Sequence, residues 1–446
     1  MTQTQASLAE AETGARVRAD DRAHVFHSWS AQAKISPLPI AGGEGSWFWD
    51  FDGNRYLDYS SQLINLNIGH KHPKVVEAIV AQANKLPTIQ PAFANEATAT
   101  LARLIAERSP DPASKVFFTT GGQEANEHAI RIARRFTGRD KILAAYRSYH
   151  GAGGQTIGLT GEARRWANEP TGVNVSRFFG PYLYRSVFGA TTEAEESERA
   201  LAHLRQVIEL EGPQTIAAVL LEPVTGSPGV LVPPPGYLAG VAELCRKHGI
   251  VFIADEVMVG FGRVGEWFAS HGAFGAEPDL ITFAKGVNSG YVPLGGVVIS
   301  DRVASHFDET PYPGGLTYAG HPLACAAGVA SIGVFEEEQL LPKARDLGEN
   351  VLGAGLRALA EKHPLIGEVR GRGFFWAVEF VADRATREPL GADKVGGIVA
   401  GLKARGVWAF APANRIHIAP PLTATVEELQ LGLTALDEAL SETARG

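Results

Sequence analysis

The sequence predicts an α/β protein with a mainly parallel sheet covered by helices on both faces, joined to a smaller α+β domain. Three observations support this fold class. Short β-rich apolar runs alternate with longer helical patterns through the middle of the chain, and these runs are apolar on both faces. The two chain ends lack this alternation. With 446 residues, 45% of them hydrophobic, the chain is long enough for a large core and a second, smaller one.

Apolar runs in the middle of the chain predict the strands of the large sheet. They are "KVFFTT" (115–120), "KILAAY" (141–146), "TIAAVLLEP" (215–223), "IVFIAD" (250–255), "DLITFAK" (279–285) and "GGVVIS" (295–300). Between them, "QEANEHAIRIARRFTG" (123–138) and "YLAGVAELCRKHG" (237–249) have helical periodicity and a glycine stop. Strands separated by helices are typical of a parallel sheet.

The smaller domain is expected to combine both chain ends. Near the N-terminus, "GSWFWDFDGNRYLDYSS" (45–61) predicts a hairpin, with an Asp52-Gly53 turn between aromatic strands. Toward the C-terminus we expect helices, a strand at "FFWAVEFV" (374–381) and a last helix from about Thr425. The predicted division is 1–70 and 331–446 for the small domain and 71–330 for the large one. The polar start of the chain is expected to be frayed.

Composition excludes several classes of partner. The formal charge of -8 argues against nucleic acid and anionic membranes, and no stretch has the roughly 18 apolar residues of a membrane span. Only two cysteines, Cys245 and Cys325, are present, and they are not spaced as metal ligands. We therefore expect a cytoplasmic protein without a metal, acting on small molecules.

Chemically capable residues follow the predicted strands, where α/β sheets bind ligands. They are Gly121, Gly122, Gln123, Tyr149, His150, Glu222, Asp255 and Lys285. Each has a plainer explanation: the glycines suit a simple turn, the tyrosine a core, the aspartate a helix cap and the lysine a solvated surface. As a set they fit a pyridine ring with a phosphate tail. A lysine amine forms a Schiff base with such a cofactor, and an aspartate pairs with its ring nitrogen.

The sequence resembles the class III aminotransferases, which use pyridoxal 5′-phosphate (PLP) on the fold type I scaffold. The resemblance rests on "IADEVMVGFGRVGEWFA" (253–269), "PDLITFAKGVNSGYVPLGGV" (278–297) and "LTYAGHPLACAAG" (316–328), and extends from "DGNRYLDYSSQLINLNIGHKHPKV" (52–75) to "IAPPLTAT" (418–425). It implies a seven-stranded-type sheet in the large domain.

The resemblance also implies roles for particular residues. Lys285 is implied to be the Schiff-base lysine and Asp255 the partner of the ring nitrogen. Val257 and Tyr149 are implied to sandwich the ring, Gly122 and Gln123 to hold the phosphate through backbone N–H groups, and Glu222 to lie near the ring hydroxyl. Thr317 is implied to reach the phosphate in the neighbouring subunit of a homodimer with shared sites. Arg415 matches a mobile arginine that clamps substrate carboxylates.

Several positions depart from the family pattern. Thr120 to Gln123 stand where many members have Asn-Ser-Gly-Ser, so phosphate binding is expected to depend on backbone groups. Met258 replaces a common glutamine. Ala152 follows Gly151 where members acting on 4-aminobutyrate or ornithine carry an arginine, which favours the amine:pyruvate branch. Ile64, beside Leu63, replaces a tryptophan common in that branch, so a roomier substrate pocket is expected.

These observations favour an aminotransferase that moves an amino group from an ω-amino acid or amine to a ketoacid, with pyruvate as the expected acceptor. A 2-oxoglutarate-dependent enzyme acting on 4-aminobutyrate or taurine stays open. So does a decarboxylase, racemase or aminomutase on the same fold, because Lys285 and Asp255 serve those reactions too. A non-enzymatic protein is the third alternative, disfavoured because both residues are intact.

Overall fold

A computed structural model describes residues 3–169 and 174–445. The helices are α1 (Gln3–His24), α2 (Ser61–Ile64), α3 (Pro73–Lys85), α4 (Glu96–Ala106), α5 (Gly122–Thr137), α6 (Gly154–Leu159), α7 (Glu193–Glu211), α8 (Tyr237–His248), α9 (Ala269–Gly272), α10 (Asp301–Ala304), α11 (Pro322–Glu337), α12 (Leu340–Leu347), α13 (Ala354–Lys362), α14 (Ala392–Ala404) and α15 (Val426–Thr443). The strands are β1 (Ile40–Glu44), β2 (Trp47–Asp50), β3 (Arg55–Asp58), β4 (Lys115–Thr119), β5 (Lys141–Ala145), β6 (Val175–Phe178), β7 (Ile216–Leu221), β8 (Val251–Asp255), β9 (Leu280–Phe283), β10 (Gly295–Ile299), β11 (Ile366–Arg372), β12 (Phe375–Asp383), β13 (Glu388–Pro389), β14 (Val407–Trp408) and β15 (Arg415–Ile418).

The large sheet has seven strands in the order β4-β10-β9-β8-β7-β5-β6, which confirms the predicted α/β class. Strands β5 to β9 pair in parallel, whereas β10 runs antiparallel to both β4 and β9. The connection from β9 to β10 explains this exception. It covers only residues 284–294 and contains no α-helix, and a parallel crossover needs about a dozen residues or more, usually including one.

Helices cover both faces of this sheet, as predicted. Alternate residues of β5 belong to different hydrophobic clusters, with Ile142 packed on the α5 side and Leu143 on the α8 side. In strand β8, Ile253 likewise packs on the α5 side and Phe252 on the α8 side. Because side chains alternate along a strand, each strand is buried on both sides and reads as a continuous apolar run.

The small sheets join the two ends of the chain. Strands β2 and β3 form the predicted antiparallel hairpin, and β14, from the C-terminal part, pairs in parallel with β3. A second sheet contains β11, β12, β13 and β15. This pairing supports a small domain built from both ends, while the boundaries at residues 70 and 330 stay predictions.

The start of the chain differs from expectation, because the predicted frayed segment forms α1. Its sequence is rich in alanine, glutamate, glutamine and arginine, which favour helix even without an apolar stripe. Within the helix, Gly14 packs against Phe51. No helix in residues 3–169 or 174–445 is both long and apolar enough to cross a membrane.

Candidate active site

A cavity of about 320 Å³ lies at the carboxyl edge of the parallel strands. The strand-end residues meet there because parallel strands all end at the same edge of a sheet. Its wall is formed by Thr120, Gly121, Gly122, Gln123, Asn126, Tyr149, His150, Gly151, Ala152, Glu222, Ser227, Asp255, Val257, Met258, Ala284, Lys285, Gly290, Val292, Pro293 and Leu294. Most of the predicted site residues are therefore brought together.

Asp255, the last residue of β8, is the most strongly held carboxylate at this cavity. Its side chain is buried, with one oxygen accepting hydrogen bonds from His150 Nδ1 (2.7 Å) and Asn126 Nδ2 (2.8 Å). The other oxygen accepts from the Val257 backbone N–H at 3.1 Å. A buried carboxylate is costly without such donors, so the contacts fix both its place and its orientation.

His150 and Asn126 are themselves fixed in place around this carboxylate. Asn126 Nδ2 also donates to the His150 carbonyl at 2.9 Å, and Asn126 Oδ1 accepts from Thr282 Oγ1 at 2.8 Å. Burial is the largest single influence on His150 and opposes its protonation, but the hydrogen bond to Asp255 and the negative charges of Asp255 and Glu222 together outweigh it and raise the pKa of the imidazole. The other ring nitrogen of His150 is buried and has no hydrogen-bond partner within the described chain.

Glu222 occupies a second anionic position, directly after β7. Its two oxygens accept from the backbone N–H groups of Tyr149 (3.0 Å) and Gly226 (2.8 Å). Burial raises the pKa of Glu222 to about 7, because its hydrogen bonds only partly offset desolvation. The carboxyl group therefore titrates near neutral pH beside the fixed Asp255.

Lys285 reaches the cavity wall from a strained backbone position. It follows β9 with φ of 44°, in the left-handed region that non-glycine residues seldom adopt. Burial lowers the pKa of its amine, and the carboxylates of Asp255 and Glu222 offset this only in part. Among the described residues its Nζ makes no hydrogen bond or ion pair, which suits a nucleophile or proton carrier.

Gly122, the first residue of α5, allows the Val257 side chain to approach its backbone closely at the cavity. A methyl group on Gly122 would lie 2.6 Å from Val257 Cγ1, so only glycine fits there. The first N–H groups of α5 have no partner within the helix and suit an anion. Thr120 supplies a hydroxyl, but it donates to Glu124 Oε2 at 2.6 Å, which leaves the backbone as the donor set.

Tyr149 lines another side of the cavity, and the side chain of Arg164 packs on its ring. The guanidinium carbon of Arg164 lies 3.7 Å from the centre of the Tyr149 ring. Arg164 Nη2 also donates to Ser227 Oγ at 2.5 Å. Arg415 approaches the same serine, with Nη2 3.5 Å from the Ser227 carbonyl oxygen, while its buried Nε has no hydrogen-bond partner in the residues that the structure describes.

Four predicted residues do not line this cavity: Arg415 only approaches the wall residue Ser227, and Thr317, Leu63 and Ile64 lie farther away. Thr317 is exposed on the surface of this chain. Leu63 is 66% exposed, whereas Ile64 is 1% exposed and packs in a separate hydrophobic cluster with Val259 and other side chains. The structure therefore does not bring the predicted substrate contacts Leu63 and Ile64 to the cavity wall within one chain, because α2 directs its neighbouring side chains to solvent and to the core.

Sequence reasoning missed three residues of the site: Asn126, Arg164 and Ser227. Asn126 gave a usable signal, because it is a polar residue on the otherwise apolar face of α5. Arg164 and Ser227 gave none, since they lie in loop or 3₁₀ segments and meet only through the fold.

The contact between Gly122 and Val257 predicts a steric effect that can be measured without ligand. Gly122→Ala places a methyl group well inside van der Waals distance and should destabilise the apoprotein by about 1–3 kcal/mol, seen as a lower unfolding midpoint. Gly121→Ala is the matched control, because no atom lies within 4 Å of its added methyl and its φ is -176°. Equal midpoints for both variants would contradict the close packing described here.

Known proteins resemble this chain over nearly its whole length. The sequence profile of the family "Aminotransferase class-III" matches residues 29–440. The hypotaurine/taurine–pyruvate aminotransferase of Paracoccus denitrificans is 35% identical over 450 residues, which cover 96% of this chain and 97% of that protein. The 5-aminovalerate aminotransferase of Pseudomonas aeruginosa is 37% identical over 423 residues, with 92% and 95% coverage.

Among solved structures, the taurine:2-oxoglutarate aminotransferase of Bifidobacterium kashiwanohense, in complex with PLP and glutamate, is similar with a TM-score of 0.92. It is 39% identical in sequence, and the match covers 97% of this chain and 98% of that one. Together with the strand-end lysine and aspartate on one cavity, these matches establish that the chain belongs to the class III aminotransferases, enzymes that use PLP.

Proposed function

We propose that this enzyme transfers the amino group of an ω-amino acid to a ketoacid, with pyruvate as the acceptor, in two half reactions. The observation that carries the proposal is the cavity itself. A half-buried lysine, which has no partner among the described residues, and a fixed aspartate face it, and two arginines meet at Ser227 in its wall. The first two residues suit amino transfer, and the arginines suit an acidic substrate.

The residues of this cavity fit PLP. When bound, PLP draws electrons from the substrate carbon that carries the amino group. We assign Asp255 to the pyridine nitrogen and Lys285 to the aldehyde. Gly121, Gly122 and Gln123 are assigned to the phosphate through their backbone N–H groups. The absence of side chains on the two glycines and the unpaired N–H groups at the start of α5 support that part of the assignment.

Val257 and Tyr149 are assigned to the two faces of the ring. Both line the cavity, Val257 against the glycine loop and Tyr149 beneath the Arg164 guanidinium. Glu222 is assigned to the ring hydroxyl side. With a pKa of about 7, it can hold or release a proton at that position near neutral pH.

Lys285 is assigned to holding the cofactor and carrying the proton of the substrate carbon. Its lowered pKa leaves more of the amine as free base near neutral pH than a solvated lysine would have, and only the free base takes up a proton. His150 is assigned a positioning role, because its Nδ1 holds the Asp255 carboxylate in one orientation.

Arg415 is assigned to the substrate carboxylate. Among the described residues its guanidinium forms no ion pair, and its hydrogen bond to the Ser227 carbonyl oxygen is long, at 3.5 Å, so it is able to move. Ala152 stands in the cavity wall where some family members carry an arginine, so its own part of the wall is uncharged, which favours monocarboxylic acceptors such as pyruvate. The Bifidobacterium relative is named for 2-oxoglutarate, and that acceptor is the alternative.

A homodimer with shared sites completes the proposal. Thr317 is exposed on its own chain, as expected for a residue that reaches a partner's cofactor phosphate. Large apolar side chains are also left exposed on the surface, including Phe26, Trp29, Phe93, Trp166 and Tyr318. Such side chains are enriched where a second protein binds. A cytoplasmic location stays a prediction, consistent with the two free, buried cysteines.

Lys285→Ala should abolish cofactor retention and nearly all amino transfer. After borohydride treatment, the mass of the wild-type protein should include PLP and that of the variant should not. Turnover should fall by more than the roughly 10²–10⁴-fold typical of losing a general base alone, because the cofactor's attachment is lost too. Lys343→Ala is the matched control, since burial lowers the pKa of that lysine as well but it contacts the Thr423 carbonyl far along the chain. Substantial residual transfer by Lys285→Ala would contradict the assignment.

Arg415→Ala should weaken the binding of acidic substrates and leave the binding of neutral substrates unchanged. A charge-assisted hydrogen bond is worth roughly 1.5–3 kcal/mol, so KM for pyruvate and for ω-amino acids should rise about 10- to 150-fold. A plain amine donor should be little affected in its own half reaction, measured by single-turnover absorbance. Arg405→Ala is the control, because it removes ion pairs with Glu438 and Glu442 and a hydrogen bond to the Gly401 carbonyl, none of which lines the cavity. Equal rises in KM for acidic and plain amine substrates would refute the role of Arg415. Comparing the rates with 2-oxoglutarate and with pyruvate decides which ketoacid is the acceptor.

A further inference from the structure

A second, smaller cavity, the rear cavity, adjoins Glu222. It is enclosed by the carboxyl ends of β5 and β7, the loops after β5, β6 and β7, and the first residues of α8. Its volume of about 30 Å³ is enough for a water molecule. Glu222 is the one described residue that lines both the rear cavity and the substrate cavity, so it forms the wall between them.

Tyr237, the first residue of α8, lines the rear cavity and carries a hydroxyl without a protein partner. The residue is 2% exposed, and within the described chain its buried hydroxyl makes no hydrogen bond. An unpaired buried hydroxyl costs free energy, so such groups are normally bonded to protein or to internal water. Because the rear cavity has room for a water molecule, water is the partner that fits the Tyr237 hydroxyl.

The Glu222 carboxyl can make further hydrogen bonds. Its oxygens accept from the backbone N–H groups of Tyr149 and Gly226, and each oxygen has a second lone pair. Because burial raises its pKa to about 7, the group is protonated part of the time near neutral pH, and its O–H then needs an acceptor. A water molecule serves both forms, since it can donate to the carboxylate and accept from the carboxylic acid.

The charged groups that act on Glu222 lie on its substrate side. The charge of His150 lowers the pKa of Glu222 and that of Asp255 raises it, although burial is the larger influence. Glu222 in turn raises the pKa of the Lys285 amine. These three neighbours line the substrate cavity and not the rear cavity. A proton on Glu222 therefore has charged groups on one side and the rear cavity on the other.

The outer end of the rear cavity lies at residues that contact solvent. Tyr146, which lines it, is 37% exposed. Arg147 follows and is half-buried, with its guanidinium carbon 5.2 Å from the centre of the Tyr182 ring. In the part of the chain that the structure describes, Arg147 is the only charged residue besides Glu222 that lines this cavity. The rear cavity thus extends from Glu222 toward the protein surface.

We propose that the rear cavity holds a water molecule bound between the Glu222 carboxyl and the Tyr237 hydroxyl, and that this water carries the proton which Glu222 gains or loses. When the O–H bond of the carboxyl breaks, the water accepts that proton and passes one of its own to solvent at the Tyr146 end, and uptake runs in reverse. Glu222 can then exchange its proton while a substrate fills the other cavity. This inference goes beyond the proposed function, and its tests use no amino donor.

The first test follows the titration of Glu222 in the holoenzyme by infrared spectroscopy. Its carbonyl band is the one that shifts with isotope-labelled glutamate and is absent in Glu222→Gln. Tyr237→Phe removes the hydroxyl, and Gly180→Ala adds a methyl group to the cavity wall, where Ala145 Cβ at 3.8 Å is the only atom within 4 Å apart from its chain neighbours. Both variants should lose the water and raise the pKa of Glu222 by about half to one pH unit, because the carboxylate loses a hydrogen bond.

Tyr59→Phe and Gly333→Ala are the matched controls, and neither position lines either cavity. Tyr59 is also 2% exposed, but its hydroxyl donates to the Leu429 carbonyl. A methyl group on Gly333 has no atom within 4 Å. Both controls should leave the pKa of Glu222 unchanged. A wild-type pKa in either of the two test variants would overturn the proposed water.

The second test asks whether this water carries the proton. The same infrared band in the holoenzyme measures how fast Glu222 responds to a light-triggered pH jump. Gly180→Ala should slow the response several-fold, because the proton loses its carrier, while Gly333→Ala should respond at the wild-type rate. Equal rates in the wild type and Gly180→Ala would show that the proton travels through the substrate cavity, and the carrier role would be overturned.

Discussion

The buried carboxylate of Asp255 is the constraint on which the rest of the site depends. At 3% exposure it must be stabilised by donors, and three are present: the imidazole of His150, the amide of Asn126 and the backbone N–H of Val257. Each donor comes from a different part of the chain. The two carboxylate oxygens of Asp255 therefore hold together three segments: the helix α5, the loop after β5 and the loop after β8.

The neighbouring acids show why this network matters. Glu222 and Glu256 flank Asp255, and burial raises the pKa of each to about 7. Glu256 accepts from the backbone N–H groups of Ala269 and Ser270 and is not among the residues that line the cavity, so it holds the loop in place. Among the three acids, only Asp255 accepts a hydrogen bond from a histidine whose pKa is raised, which gives a cationic partner within reach.

The sequence was sufficient for those features that depend on local pattern. Apolar runs with polar ends predicted the strands and placed Glu222, Asp255 and Lys285 at one edge of the sheet. The antiparallel direction of β10 was not predicted, although the short connection between the apolar runs of β9 and β10 is visible in the sequence and would have indicated it. The helix α1 was missed because its helix formers carry no apolar stripe. Arg164 and Ser227 were missed because their contact joins residues 63 positions apart, and no local pattern encodes such a meeting.

We propose that Asp255 keeps the cofactor's ring nitrogen protonated, and one comparison of two variants tests this most directly. Asp255→Asn keeps the size of the side chain but removes its charge and replaces one accepting oxygen by an NH2 donor, and Glu256→Gln makes the same change one residue away, at a side chain that does not face the cavity. With PLP content measured for both, the rate of a single half reaction should fall by several kcal/mol of barrier in Asp255→Asn, at about 1.4 kcal/mol per tenfold, while the cofactor stays bound. Glu256→Gln should stay near the wild-type rate. A near wild-type rate in Asp255→Asn would show that this carboxylate only closes the turn after β8, and the central claim would be wrong.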